Sequence, residues 1–129
     1  MFQVRVTADF AAAHFLRDYH GKCENLHGHN YKVYAHVQGA SLDEGGMLLD
    51  FGELKKALRE VCSRLDHTNL NDIDFFAQNP SAERIAVYIY NGIVDVLPSL
   101  KKTDDAKKTH LYALDVFETE TSRARYLPD

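Results

Sequence analysis

Hydrophobic and polar positions along the chain switch between a period of two and a period of three to four, and the switches mark its elements. Phe2, Val4 and Val6 alternate with Gln3, Arg5 and Thr7, which predicts a strand over Phe2–Ala8. Phe10-Ala11-Ala12-Ala13-His14-Phe15 either continues that strand or, because alanine favours helix, leaves it. Arg17–Lys22 is a polar loop. Alternation returns from about His27 to Gln38, with Val33, Ala35 and Val37 set against Lys32, Tyr34, His36 and Gln38. Gly39–Gly46 is a turn-rich link, after which Met47–Asp50 is expected to close a hairpin.

A helical period follows. Phe51, Leu54, Leu58, Val61, Cys62 and Leu65 recur at steps of three and four, with Lys55, Lys56, Arg59, Glu60 and Arg64 on the other side. This predicts a helix over Phe51–Leu65, with Asp50 as its N-cap. Asp66–Asp72 is loop-like. A second helix is expected from about Ser81 to Leu97, with Ile85, Ala86, Ile89, Ile93, Val94 and Leu97 on its apolar stripe. Asn79-Pro80-Ser81 starts it and Pro98 stops it. Lys101–Lys108 is a solvated link. His110–Thr119 alternates as a third strand, Glu120-Thr121-Ser122 turns, and Arg123–Leu127 is a last strand. The order strand, strand, helix, helix, strand, strand predicts an α+β fold, an antiparallel sheet with two helices on one face.

Composition narrows the function. With 129 residues and 45% hydrophobic content, one domain over 1–129 is the expectation, large enough for a core but small for an enzyme site built within one chain. The net charge of −4 provides no basic field for nucleic acid. No apolar run reaches membrane-spanning length and the N-terminus lacks a signal-peptide core, so a cytoplasmic location is expected. Of the two cysteines, Cys23 lies among polar residues and Cys62 on an apolar helical stripe. Both read as free thiols, Cys62 as core packing.

The chemistry concentrates in Cys23-Glu24-Asn25-Leu26-His27-Gly28-His29-Asn30-Tyr31. Side chains two apart on a strand share a face, so His27 and His29 can aim at one point, with Gly28 keeping the space between them clear. Catalytic zinc takes three protein ligands and keeps a fourth position open. His14 is the best third ligand if the first two strands pair as a meander. Against this stands the plain reading of two surface imidazoles at a strand entry. Cys23 is a fourth zinc ligand, a reactive thiol facing the metal across a substrate, or an incidental loop residue. Asp66-His67 is either helix-end capping or a carboxylate that orients an acid/base histidine. Glu118 is a solvated strand-end carboxylate or an acceptor for a cyclic guanidine-like N–H edge. Tyr31, Tyr34 and Phe117 read as core or sheet-face aromatics.

Taken together, the chain resembles the 6-pyruvoyl-tetrahydropterin synthase family, including its bacterial branch, the 6-carboxy-tetrahydropterin synthases of queuosine biosynthesis. The resemblance spans almost the whole chain. It rests on Ala12-Ala13-His14-Phe15, Cys23-x-x-x-His27-Gly28-His29-Asn30-Tyr31, Asp50-Phe51-Gly52-Glu53-Leu54-Lys55, Leu65-Asp66-His67-Thr68-Asn69-Leu70-Asn71, Asn79-Pro80-Ser81-Ala82-Glu83 and Phe117-Glu118-Thr119, in that order.

The resemblance implies the tunnelling fold, a four-stranded antiparallel sheet with two helices on one face. It implies a homohexamer made of two trimers, with active sites between subunits, and 7,8-dihydroneopterin triphosphate as substrate. His14, His27 and His29 would bind Zn2+, Cys23 would be the base, Asp66 and His67 the proton relay, and Glu118 the pterin anchor. Glu24 bears on the product. In a related subgroup a glutamate three residues before the first of the paired histidines replaces the cysteine, and the side chain is cleaved to 6-hydroxymethyl-dihydropterin for folate synthesis. The three-residue gap between Cys23 and His27 favours the queuosine-type reaction, giving 6-carboxy-tetrahydropterin. Three alternatives remain: a 6-pyruvoyl product, the folate-type cleavage using Glu24, and a zinc-stabilised pterin-binding module without catalysis.

Overall fold

The computed structural model describes residues 1–17, 25–77 and 79–129. The chain runs β1 (Phe2–His14), β2 (His27–Gly39), α1 (Phe51–Ser63), β3 (Thr68–Asn69), α2 (Ala82–Val96), β4 (His110–Thr119) and β5 (Ser122–Tyr126). One sheet has the order β3-β1-β2-β4-β5. Its four long strands are antiparallel neighbours, and β3 is a two-residue parallel addition against Ala12 and Ala13. The expected α+β architecture is present, with β3 as an extra edge.

The alanine run is strand. β1 and β2 pair in register over their whole length, from Phe2 opposite Gly39 to His14 opposite His27. A ladder of that length overrides the modest helix preference of three alanines. Even positions of β1 and odd positions of β2 face the helices. Val6, Phe10, Tyr31, Val33, Ala35 and Val37 are buried there, and Phe10 stacks on Tyr31 with ring centroids 4.8 Å apart.

The expected hairpin strand over Met47–Asp50 does not form. Asp43 Oδ1 accepts the N–H groups of Gly45 and Met47, and Asp43 N–H donates to the Met47 carbonyl. That closes a local turn, with Gly46 at φ 79°, and leaves the following backbone no ladder partner. α1 starts at its predicted cap, since Asp50 Oδ1 accepts Gly52 N–H at 2.8 Å. It ends two residues before Leu65, which remains fully buried in the turn that follows. Ser81 Oγ accepts Arg84 N–H and caps α2. No helix among the described residues is long and apolar enough to cross a membrane.

The two helices meet at Gly92. A Cβ built there would lie 2.7 and 2.8 Å from the two methyl carbons of Val61 and 3.4 Å from its Cβ. Rotating Val61 cannot clear both methyls while its own Cβ stays so near.

The face of the sheet away from the helices carries a charged network. Asp115 is buried and accepts from Arg125 Nε at 2.6 Å and Nη2 at 2.9 Å, and from His36 Nε2 at 2.8 Å. Arg123 Nη1 stands 3.8 Å away. Burial pushes the Asp115 carboxyl up, but the Arg125 and His36 hydrogen bonds outweigh it and hold the group below its ordinary 3.8. Burial lowers the affinity of His36 for a proton, so His36 is a neutral donor at pH 7. Neither His36 nor Asp115 stands out in the sequence.

Two outcomes follow. Gly92→Ala gains about 1 kcal/mol of helix propensity but overpacks against Val61. The net effect is a destabilisation of about 1–2 kcal/mol, read as a lower urea midpoint with unchanged slope. Asp115→Asn removes charged hydrogen bonds from a buried site and costs about 1–3 kcal/mol at pH 7. Because the folded carboxyl is more acidic than the unfolded one, this contribution is complete above about pH 4. It fades as pH falls through the folded value, so urea titrations of the two proteins should converge in acid.

Candidate metal centre and adjoining cleft

Pairing His14 with His27 puts the two imidazoles side by side on the helix face, and His29 lies two positions further along β2 on the same face. Their ring centroids are 4.5, 4.8 and 5.2 Å apart. A β-bulge between Phe117 and Thr119 interrupts the β4–β5 ladder at Glu118. Bulges re-aim the side chain they carry. Glu118 Oε1 lies 3.1 Å from His14 Nε2 and 3.5 Å from His29 Nε2. One ligand atom from each of His14, His27, His29 and Glu118 fits within 4.8 Å of all the others.

Backbone carbonyls set the tautomers of two of these rings. His14 Nδ1 is 2.8 Å from the Pro80 carbonyl, and His27 Nδ1 is 2.7 Å from the Asn25 carbonyl. A carbonyl only accepts, so each Nδ1 carries a proton, and Nε2 is the nitrogen a neutral ring offers to a metal. Among the described residues the buried His14 Nε2 makes no hydrogen bond of good geometry, and Glu118 Oε1 lies 3.1 Å from it. At 3.1 Å, His14 Nε2 and the Glu118 oxygen can share a proton or serve as ligands of one metal ion. Three neutral imidazole nitrogens and a carboxylate oxygen are a donor set that suits zinc, and the carbonyls on the far ring nitrogens are the usual outer support. The residues present therefore fit the metal.

A proton shared from the His14 ring holds the Glu118 carboxyl below the usual carboxylate range, against burial, with His29 adding to the effect. Burial lowers the proton affinity of His29, while Glu118 pulls the other way. The Tyr31 hydroxyl, also buried without a partner, is pushed up by burial and then by Glu118.

The far end of β1 is clamped by segments that the sequence places in loops. Asn71 Oδ1 accepts Phe15 N–H and its Nδ2 donates to the Phe15 carbonyl. Asn79 Oδ1 accepts Arg17 N–H. Asp66 Oδ1 accepts Ala11 N–H at 2.9 Å, and His67 N–H donates to the Ala11 carbonyl at 2.6 Å. His67 sits in the left-handed region at φ 56°, an uncommon conformation outside glycine.

The neighbours Asp66 and His67 do face each other, with His67 Nδ1 2.8 Å from Asp66 Oδ2. The Ala11 N–H, then the His67 ring, lower the Asp66 pKa. His67 is 83% exposed. It borders an open cleft of about 940 Å³ that Asp66, Glu118, Lys32, Tyr34 and Phe117 also line. Glu118 thus belongs both to the histidine cluster and to the cleft.

Some sequence-based expectations change. A Cβ at Gly28 would meet only the Ala12 carbonyl, at an ordinary 3.7 Å, so room between the histidines does not select glycine there. Glu118, expected as a substrate contact alone, comes within 4.8 Å of the histidine ligand atoms through its bulge, which alternation of strand residues does not reveal. Cys23 and Glu24 lie outside the described residues. Cys62 is buried against the core as expected.

Comparison with known proteins agrees in fold and family. A family model described as 6-pyruvoyl tetrahydropterin synthase matches residues 3–129. The 6-carboxy-5,6,7,8-tetrahydropterin synthase of Bacillus subtilis is 35% identical over 133 residues, covering 98% of this chain and 86% of that protein. The structure of Caenorhabditis elegans 6-pyruvoyl tetrahydropterin synthase superposes with a TM-score of 0.81 at 27% identity, covering 99% and 96% of the two chains. A Plasmodium vivax 6-pyruvoyltetrahydropterin synthase, in a variant with a catalytic glutamate changed to alanine, gives a TM-score of 0.77 at 25% identity, covering 97% and 96%.

Burial, then the Asp9 and Asp66 charges, push the Cys62 thiol up to about 12. At pH 8 it is protonated and shielded. Native Cys23→Ala protein should therefore take up no iodoacetamide at pH 8, and one label per chain once unfolded in urea, as counted by mass spectrometry.

Proposed function

The chain belongs to the 6-pyruvoyl tetrahydropterin synthase family, and from that premise we propose that it is a zinc-dependent lyase acting on 7,8-dihydroneopterin triphosphate. It is an enzyme of the pterin synthase type. The proposed products, with one water consumed, are 6-carboxy-5,6,7,8-tetrahydropterin, acetaldehyde and triphosphate. The ring gains the two hydrogens that the side chain loses, so the balance needs no external redox partner. The observation that carries the reading is the convergence of His14, His27, His29 and Glu118 at the border of a cleft that also holds the Asp66–His67 pair.

In this reading His14, His27 and His29 hold Zn2+, with Pro80 and Asn25 carbonyls keeping two of the rings in the ligating tautomer. Bound zinc supplies Lewis-acid polarisation of oxygens on the substrate side chain. The chain's own groups do the rest. Glu118 accepts the paired N–H edge of the pterin by two hydrogen bonds and fixes its orientation. Cys23, as thiolate, takes a proton from a side-chain carbon. His67 returns a proton through Nε2, because Asp66 holds its Nδ1–H.

The assembly proposed is a cytoplasmic homohexamer of two trimers with sites completed by neighbouring subunits. Two features support it. Among the described residues, β1 beyond its short β3 partner and β5 are open sheet edges, and no element is layered on the charged face opposite the helices.

A second reading is cleavage to 6-hydroxymethyl-7,8-dihydropterin with Glu24 as base. It is favoured by the Plasmodium vivax protein, whose catalytic residue is a glutamate, and by Glu24 next to Cys23. Incubation with 7,8-dihydroneopterin triphosphate and chromatography of the products decides between them. Acetaldehyde with a 6-carboxy product is expected. 6-Hydroxymethyl-dihydropterin would replace the first reading by the second, and a stable 6-pyruvoyl product would end both. Cys23→Ala should lower kcat at least a hundredfold, the scale of a lost acid/base group, with one zinc per chain retained. Loss of zinc with retained activity would overturn the role given to Cys23.

A further inference from the structure

The substrate proposed above carries a triphosphate, yet the cleft beside the histidine cluster is acidic. Asp9, Asp66, Glu118 and Glu120 line it, against Lys32 and the His67 ring. A polyanion is repelled by such a lining and is held where cations gather. Resting on the synthase reading, we propose that Lys32 and Arg59 form the subsite for the triphosphate chain, in a groove that opens off the cleft beside β1.

The groove has a volume of about 410 Å³ and shares Asp9, Lys32 and Asp66 with the cleft as walls. A chain leaving the cleft past Asp66 therefore enters it directly. Arg59 comes from α1, and Lys32 from β2, where it stands opposite Asp9 of β1. Both side chains are exposed. Among the described residues neither is in an ion pair, although Glu60 and Arg64 pair on the same helix. Cations elsewhere on the sheet are committed, since Arg125 holds Asp115 and Arg5 lies over Tyr34. The hydroxyls of Thr7 and Ser63 also border the groove, but they donate to the carbonyls of Val33 and Glu60. That leaves the two cations as its side-chain donors for an anion.

Their chemistry suits a chain of phosphates. A guanidinium takes one phosphate by two parallel hydrogen bonds, and a flexible ammonium acts as a point charge for another. Asp66 in the shared wall accepts the Ala11 N–H and faces the His67 ring, so its charge is partly offset. Asp9, opposite Lys32 in the ladder, is the charge that opposes the anion.

The test titrates the zinc-loaded full chain with neopterin triphosphate and with neopterin, which has the same ring and no phosphate, and follows pterin fluorescence. Lys32→Gln and Arg59→Gln should each raise the Kd of neopterin triphosphate about tenfold, the scale of a lost hydrogen bond between charged groups, and leave that of neopterin unmoved. Arg59→Lys, which keeps the charge, should restore part of the loss. Asp9→Asn should tighten neopterin triphosphate, an outcome that a misfolded variant does not imitate. Glutamine variants that weaken both ligands alike or neither would overturn the proposal, as would an Asp9→Asn protein with unchanged or weaker triphosphate binding. Failure of the synthase reading has a separate signature, 7,8-dihydroneopterin triphosphate bound through Lys32 and Arg59 yet left unconsumed. A wild-type protein that binds neither pterin would end both.

Discussion

The register of β1 against β2 is the constraint on which the rest depends. Thirteen consecutive pairs run from Phe2–Gly39 to His14–His27. A slip of one residue would send Val6, Phe10, Tyr31 and Val33 to the opposite face and separate His14 from His27 and His29. The hydrophobic core and the histidine cluster are therefore specified by the same ladder. The burial that drives the sheet onto the helices also holds the metal-ligating face in place, because both lie on one side of the same two strands.

At the histidine end the ladder approaches an edge, where it would otherwise fray, and polar groups from distant segments hold it. Asn71 grips Phe15, Asn79 grips Arg17, and Asp66 with His67 grips Ala11. The Pro80 carbonyl fixes the His14 ring. Proline contributes no N–H, but its carbonyl is a full acceptor, and here that acceptor decides which nitrogen of His14 faces the cluster. The polar residues of Asp66–Asn71 and Asn79–Ser81 thus act on the site through backbone hydrogen bonds, while Asp66 and His67 also present their own side chains to the cleft.

Opposite the helices the sheet solves a different problem. Asp115 is buried under little apolar cover and remains ionised because Arg125 holds both its oxygens and His36 donates to one of them. Arg5 lies over the Tyr34 ring on the same face, 4.8 Å from its centroid. This face is polar yet ordered. Loss of Arg125 would leave the buried Asp115 charge without its main compensation.

Most of the architecture was legible in the sequence because it rests on periodicity. Alternation located the long strands, the three-to-four spacing located both helices, and Asp50 and Ser81 marked where those helices begin. The alanine run was ambiguous because alanine has no side chain large enough to declare a face, and only pairing with β2 made it strand. The loop at Asp43 was misread as a hairpin because local hydrogen bonds from one carboxylate satisfied the backbone that a second strand would have used.

The chain by itself determined which chemistry is present: paired histidines at strand spacing, a third histidine after the alanines, a carboxylate next to His67, and six motifs whose order points to one family. It could not determine how these groups meet, since contact between residues as distant as His14, Pro80 and Glu118 depends on register, turns and one β-bulge. Tertiary structure alone decided that His14 turns its Nε2 inward, that Asp66 and His67 pair, and that Glu118 stands between the imidazoles and the cleft. The physical reason is that periodicity is a property of neighbours along the chain, whereas a lone pair is oriented by whatever partner the fold brings to the other side of its ring.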